Sequence, residues 1–164
     1  MRSVATIGVY GWTLEQFLDA LRDADVRQLL DVRQRRGVRG RQYAWANASR
    51  LQAELTSAGI EYRYHQELAP TTELRHIQYA ADDREGVGKR SRVILDSEYT
   101  ERYVSEILDQ ADLGQIVEPM PINGAGALFC LERDPEACHR SLIAERLASE
   151  HGVTIVHLLP AEVA

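Results

Sequence analysis

The apolar residues of this chain fall into short continuous runs, separated by segments in which they recur at helical spacing. VATIGVY over 4–10 is the first such run and predicts a buried strand. Trp12-Thr13-Leu14-Glu15-Gln16-Phe17 then predicts a helix start. Thr13 is placed to cap, Gln16 stands three residues later as in a capping box, and Trp12 can staple to Phe17. Leu14, Phe17, Leu18 and Leu21 continue at helical spacing. VRQLLDV (26–32) predicts a second strand, and Asn47 predicts the cap of a helix running through Ala58, with Leu51 and Leu55 inward and Gly59 as its stop.

IEYRYH (60–65) alternates and predicts a third strand. Residues 66–95 form a polar excursion in which Thr71 or Thr72 starts a short helix and REGVGKRSR makes a loop. Tyr99, Tyr103, Val104, Ile107 and Leu108 predict a helix over 97–111, followed by the loop EPMPINGAG. ALFCLE (127–132) predicts a fourth strand. Asp134-Pro135 predicts a helix from there to about Glu150, stopped by Gly152. VTIVHLL (153–159) predicts the last strand. Strands alternating with helices imply an α/β fold: one domain over 1–164, with a mostly parallel sheet of about five strands and helices on both faces.

This topology restricts where chemistry can gather. Ligands of open parallel sheets bind beyond the carboxyl ends of the strands. Tyr10 follows the first strand, Asp31 and Arg33 end the second, and His65 and Glu67 follow the third. Cys130 and Glu132 end the fourth and lead into Cys138-His139-Arg140. Cys138 is expected as the fourth helical residue after the Asp134 cap, where the helix dipole and Arg140 favour a thiolate nucleophile. The competing reading is a small packed thiol. Cys130, in an apolar run, reads as core. His139 shares the apolar stripe of Ile143 and Leu147, so it is either a structural histidine or a general base, with Glu132 as its acid/base partner. Arg140 is placed to clamp an anion at the helix N-terminus.

Composition and charge sharpen this picture at one place. The net charge is -6, which argues against a general nucleic-acid coat, yet RQRRGVRGR (33–41) carries five arginines and no acid. Arg33, Arg36 and their neighbours predict an anion site, with Asp31 orienting Arg33 and with Tyr43 and Trp45 as stacking platforms. Two other motifs fail. GVGKRS (86–91) lacks the first glycine of a phosphate loop, since position 83 is Asp, and Arg90 follows the lysine. A phosphatase-type loop from Cys130 would need arginine at 136, which is Glu. Cys130, Cys138 and His139 are zinc-ligand types, but Cys-x7-Cys-His lacks a second close pair and would need His65 or Glu67 as fourth ligand; no metal is predicted, and the cofactor is left unknown. Two cysteines make no disulfide framework. The absence of a signal-like start or membrane-length apolar run predicts a cytoplasmic protein without membrane association.

Three blocks, Thr6-Ile7-Gly8, Asp31-Val32-Arg33 and the stretch from Cys130 to Ala144 (CLERDPEACHRSLIA), resemble the family catalogued as domain of unknown function 488. The resemblance implies a compact α/β fold with a site built from the three blocks, and supplies no reaction. The chain departs from the family pattern at Val9-Tyr10-Gly11, at Arg36-Gly37 and at Glu67-Leu68-Ala69-Pro70, where His-Ser or Tyr-Ser, a proline and Glu-Leu-Gly-Gly are usual; the departures predict a specialised site. The function expected is an enzyme acting on an anionic small molecule, nucleotide or nucleic acid through Cys138, His139 and Glu132, with Tyr10, Asp31, Arg33, Arg36, Arg140 and Glu67 binding substrate. The alternative is a nucleic-acid-binding module that uses 33–41 without catalysis. The sequence leaves a homo-oligomer open.

Overall fold

A computed structural model describes residues 2–88 and 90–161. Its strands are β1 (Ser3–Ile7), β2 (Val26–Asp31), β3 (Glu61–Tyr64), β4 (Ala125–Phe129) and β5 (Thr154–His157). They form one sheet in the order β3-β2-β4-β1-β5, and every pairing is parallel. The expected α/β architecture is therefore present. Each apolar run yields a strand shorter than the run. After Ile7 the chain leaves the ladder, because the Val9 and Tyr10 amides both donate to the Leu131 carbonyl. β4 starts two residues earlier than expected, at Ala125-Gly126, where Gly126 lets Met120 lie against the strand.

The helices are α1 (Leu14–Asp23), α2 (Ala48–Ser57), α3 (Thr72–Glu85), α4 (Ser97–Glu106), α5 (Leu113–Val117) and α6 (Arg140–His151). The α1 start matches its sequence signal: Thr13 Oγ1 accepts from the Gln16 amide, and the Gln16 side chain accepts from the Thr13 amide. Trp12 and Phe17 meet edge to face at 6.5 Å. Asn47 starts α2 but caps nothing with its side chain; its Oδ1 accepts from the Val38 amide at 2.6 Å and so pins the arginine loop. Thr71 caps α3, which has 14 residues and is not short. The expected helix over 97–111 stops at Glu106 and ends in a 3-10 turn, Leu108–Gln110, and α5 lies where only a connection was expected.

The last departure matters most for the site. No single helix runs from Asp134 to Glu150. Pro135–Ala137 forms a 3-10 turn, Cys138 is extended at φ −138°, ψ 148°, and α6 begins only after His139. Gly152 ends α6 in the left-handed conformation, as expected.

Two apolar layers flank the sheet. Phe17, Leu21, Leu51 and Leu55 of α1 and α2 pack with Ile7, Leu29 and Phe129 on one face. Leu74, Tyr99, Tyr103, Ile143 and Leu147 of α3, α4 and α6 pack with Val4, Leu30 and Leu128 on the other. The chain therefore leaves β1 and β2 toward one face and β4, which lies between them, toward the opposite face. The connections part above β4, and this is where such sheets open a crevice. Among the described residues no helix is long and apolar enough to cross a membrane.

Candidate active site

A cavity of about 620 Å³ opens at the carboxyl ends of β1, β2 and β4. Tyr10 enters it after β1, Arg33, Arg35 and Arg39 after β2, and Cys130, Glu132, Cys138 and His139 after β4. The fourth wall comes from α3 and the loop after it, through Arg75, Gln78, Tyr79, Arg90 and Arg92. Segments far apart in sequence converge as the topology requires.

The floor is a sulfur–imidazole cluster. Cys130, Cys138 and His139 are all buried, at 5%, 1% and 4% exposure. His139 Nδ1 lies 3.6 Å from Cys138 Sγ and 3.8 Å from Cys130 Sγ, while Nε2 lies 2.8 Å from the Val32 carbonyl oxygen. Cys130 packs on the α3–α6 side as expected, yet its sulfur also faces Cys138 and His139, so core residue and site residue coincide. Burial pushes the Cys130 thiol well above its ordinary range, and neighbouring Cys138 adds to the shift. Burial opposes ionisation of Cys138 too, but the Cys130 thiol, His139 and Arg140 outweigh it and hold Cys138 well below the usual thiol range. Burial works against the imidazolium, but the charge and hydrogen bond of Cys138 overcome it and raise His139. The thiolate character expected from a helix dipole thus comes from neighbouring side chains, because Cys138 lies in the break before α6.

Glu132 lines the cavity beside the cluster, with Oε2 3.6 Å from Cys130 Sγ and Oε1 3.1 Å from Arg92. Burial, reinforced by Cys138, pushes its carboxyl up to about 7 against the pull of Arg92 and His139. Tyr10 also lines the cavity, with the Arg90 guanidinium 5.0 Å from its ring centroid and 5.2 Å from that of Tyr43.

The arginines divide into two kinds. Three are buried and committed to the protein. Arg33 donates to both carboxylate oxygens of Asp31, at 2.9 and 2.8 Å, and to the Ala46 carbonyl; Tyr62 also donates to Asp31. Arg92 holds Asp82 with both ends of its fork and reaches Glu132 and the Ala137 carbonyl. Arg140 donates to the carbonyls of Glu132 and Arg133, and it does not line the cavity. The structure therefore gives Arg140 the task of shaping the β4–α6 connection where the sequence suggested an anion clamp. Arg33 is oriented by Asp31 as expected, but its guanidinium is occupied.

Arg35, Arg39, Arg75 and Arg90 form the second kind. All four line the cavity, and among the described residues none is paired with a carboxylate. Arg75 is steadied by Gln34 and Tyr79 at 2.7 Å each. Sequence reasoning missed Arg75, Arg90 and Arg92. The run of basic residues around Arg90 was the available signal, set aside once the phosphate-loop spacing failed.

Other expected residues fall outside this cavity. Arg36 stacks 4.0 Å from the Tyr64 ring centroid, and Glu67 pairs with His65 at 2.7 Å on the surface. Tyr43 and Trp45 are not exposed platforms. Each is 5% exposed; Trp45 packs on Phe17 at 4.8 Å, and Tyr43 Oη accepts from the Gly11 amide.

Residues 13–147 match the model of the domain of unknown function DUF488. The chain belongs to that family. The matched span contains every cavity residue named above except Tyr10. No curated protein and no solved structure matches the chain.

Proposed function

We propose that this protein is an enzyme acting on an anionic substrate of the phosphate-bearing kind, a nucleotide, a nucleic-acid end or a small phosphate compound, in the cavity above β4. One observation carries the reading: four arginines that have no carboxylate partner among the described residues line the same cavity as the buried Cys130–Cys138–His139 cluster. The arginines hold the charge, since guanidinium groups suit planar, multidentate anions. Cys138, His139 and Glu132 stand at the reacting end, and Tyr10 borders the space between. Arg33 and Asp31 act as positioning residues for the loop that carries Arg35 and Arg39.

A second reading, a nucleic-acid-binding module without chemistry, draws on the exposure of Arg35, Arg39 and Arg41. It is weakened by the burial of both aromatic residues that would stack on bases.

Titration of inorganic phosphate and nucleoside monophosphates into the protein tests the proposal. Arg75→Gln and Arg90→Gln are each expected to weaken binding roughly tenfold or more, the scale of one lost charge-assisted hydrogen bond, and binding should fall steeply with salt. Cys138→Ser should keep anion binding and lose turnover. Absence of anion binding, or turnover untouched by Cys138→Ser, defeats the enzyme reading. Salt-sensitive binding of nucleic acid that ignores Arg75, Arg90 and Cys138 favours the binding module.

A further inference from the structure

The cluster at the cavity floor has a feature that thiol chemistry alone leaves unexplained. His139 Nε2 lies 2.8 Å from the Val32 carbonyl oxygen, which can only accept, so that nitrogen carries a proton. In the neutral ring Nδ1 is then a bare lone pair. It faces two sulfurs at once, at 3.6 and 3.8 Å. Even a protonated Nδ1 has one hydrogen and cannot point it at both. Three electron-pair donors, Cys130 Sγ, Cys138 Sγ and His139 Nδ1, thus lie within 4.8 Å of one another and converge on a common point.

A cation at that point satisfies all three. In a tetrahedral zinc centre, Zn–S of about 2.3 Å and Zn–N of about 2.0 Å give S···N edges of about 3.6 Å, and the two observed S···N distances lie close to that edge. The Val32 carbonyl then serves as the outer partner that fixes the ring and its tautomer, as metal-bound histidines usually require. The backbone break fits the same purpose. Consecutive residues of one helix point about 100° apart, so a continuous helix could not aim both Cys138 and His139 at one atom. The extended conformation at Cys138 allows it.

We propose that Cys130, Cys138 and His139 form a three-ligand site for a thiophilic divalent cation of the zinc class, with its fourth position open to the arginine-lined cavity. Among the described residues no fourth ligand joins the group: Glu132 gives Oε1 to Arg92 and its Oε2 lies 3.6 Å from Cys130 Sγ without closing on the other two ligand atoms, and His65 and Glu67 pair with each other at the surface. Three protein ligands and one position facing a cavity is the arrangement of catalytic rather than structural zinc. Binding replaces the two thiol protons, which pass to solvent. The site itself stands on the cluster alone; its use as a Lewis acid toward a bound anion rests on the functional reading above.

The test is titration of the full-length, chelator-stripped protein with Co²⁺. One equivalent should bind, with sulfur-to-cobalt charge-transfer bands and the intense visible bands of tetrahedral Co²⁺, and Zn²⁺ should displace it. Cys130→Ser and Cys138→Ser, checked for folding by circular dichroism, should each lose at least about a hundredfold in affinity, the upper end of what outer-shell changes cost. X-ray absorption of the zinc-loaded wild type should find two sulfur neighbours and at least one nitrogen; it needs no variant. A folded wild type that takes up no Co²⁺, that binds it without thiolate bands, or that binds it equally after either cysteine is replaced overturns the site. Phosphate titration of the metal-free protein separates the two proposals, because loss of anion binding there removes the functional reading and leaves the metal site standing.

Discussion

Arg33, Arg92 and Arg140 are the same residue type as Arg35, Arg75 and Arg90, and their burial gives them the opposite task. A guanidinium cannot be left unpaired in the interior, so each buried one is surrounded by carboxylates or carbonyls. Arg92 is the most exacting case, since among the described residues it alone forms an ion pair with Asp82 while also bracing Glu132 and the Ala137 carbonyl. Arg92→Met should therefore cost about 3–5 kcal/mol in urea unfolding, the scale for breaking a buried pair and stranding its partners; a loss below 1 kcal/mol would mean the pair is not held as described. Trp45→Ala separates core from platform in the same way. It should destabilise by about 3–5 kcal/mol through loss of the Phe17 contact, whereas a surface stacking residue would leave stability nearly unchanged and lower only nucleic-acid affinity. Of the residue-scale chemistry, the Asp31–Arg33 pair was legible because the two stand two apart at a strand end. The fates of Arg92 and Trp45 were not, because they depend on contacts with Asp82 and Phe17 that spacing does not reveal.

At the scale of elements, the connection between β4 and α6 carries the most. It begins where Asp134-Pro135 says a helix should, then breaks at Cys138. A proline at the first helical position signals a start equally well for a 3-10 turn and an α-helix, and nothing in EACHRS contains a glycine or proline to announce the break. Tertiary contacts impose it: Arg92 and Arg140 tie the carbonyls of Ala137, Glu132 and Arg133. Gly8 closes the same connection from below. A Cβ there would stand 2.0 Å from the Glu132 carbonyl oxygen, the oxygen that accepts from Arg140. Gly8→Ala should thus cost about 1–3 kcal/mol, as overpacking does, and should weaken anion binding more than an exposed glycine replacement such as Gly59→Ser. Equal, small effects from both would show that the close approach at Gly8 is not rigid. The cap at Thr13 was legible, and Thr71 was one of two candidates for the start of α3, because such signals are local; Asp134 opens only a 3-10 turn and makes no side-chain cap, and α5, which also lacks one, went unseen.

For the whole molecule, the alternation of strands and helices was enough to place the rim on which the cavity opens. Parallel strands with right-handed crossovers put the loops after β1, β2 and β4 on one rim, and those loops hold Tyr10, the arginine run and the cysteine block. What the pattern could not supply was the fourth wall, because α3 and its following loop approach from the β3–β4 excursion, whose path depends on the packing of Leu74 and Tyr99 against the sheet. The central claim is that the arginine wall and the Cys138 thiol share one cavity. The most direct measurement is the rate of Cys138 alkylation by iodoacetamide in metal-free protein, with and without millimolar phosphate or nucleoside monophosphate. Anion bound on Arg75 and Arg90 should slow the reaction several-fold, and Arg75→Gln should abolish the protection. A rate indifferent to every anion, in wild type and variant alike, would contradict the account.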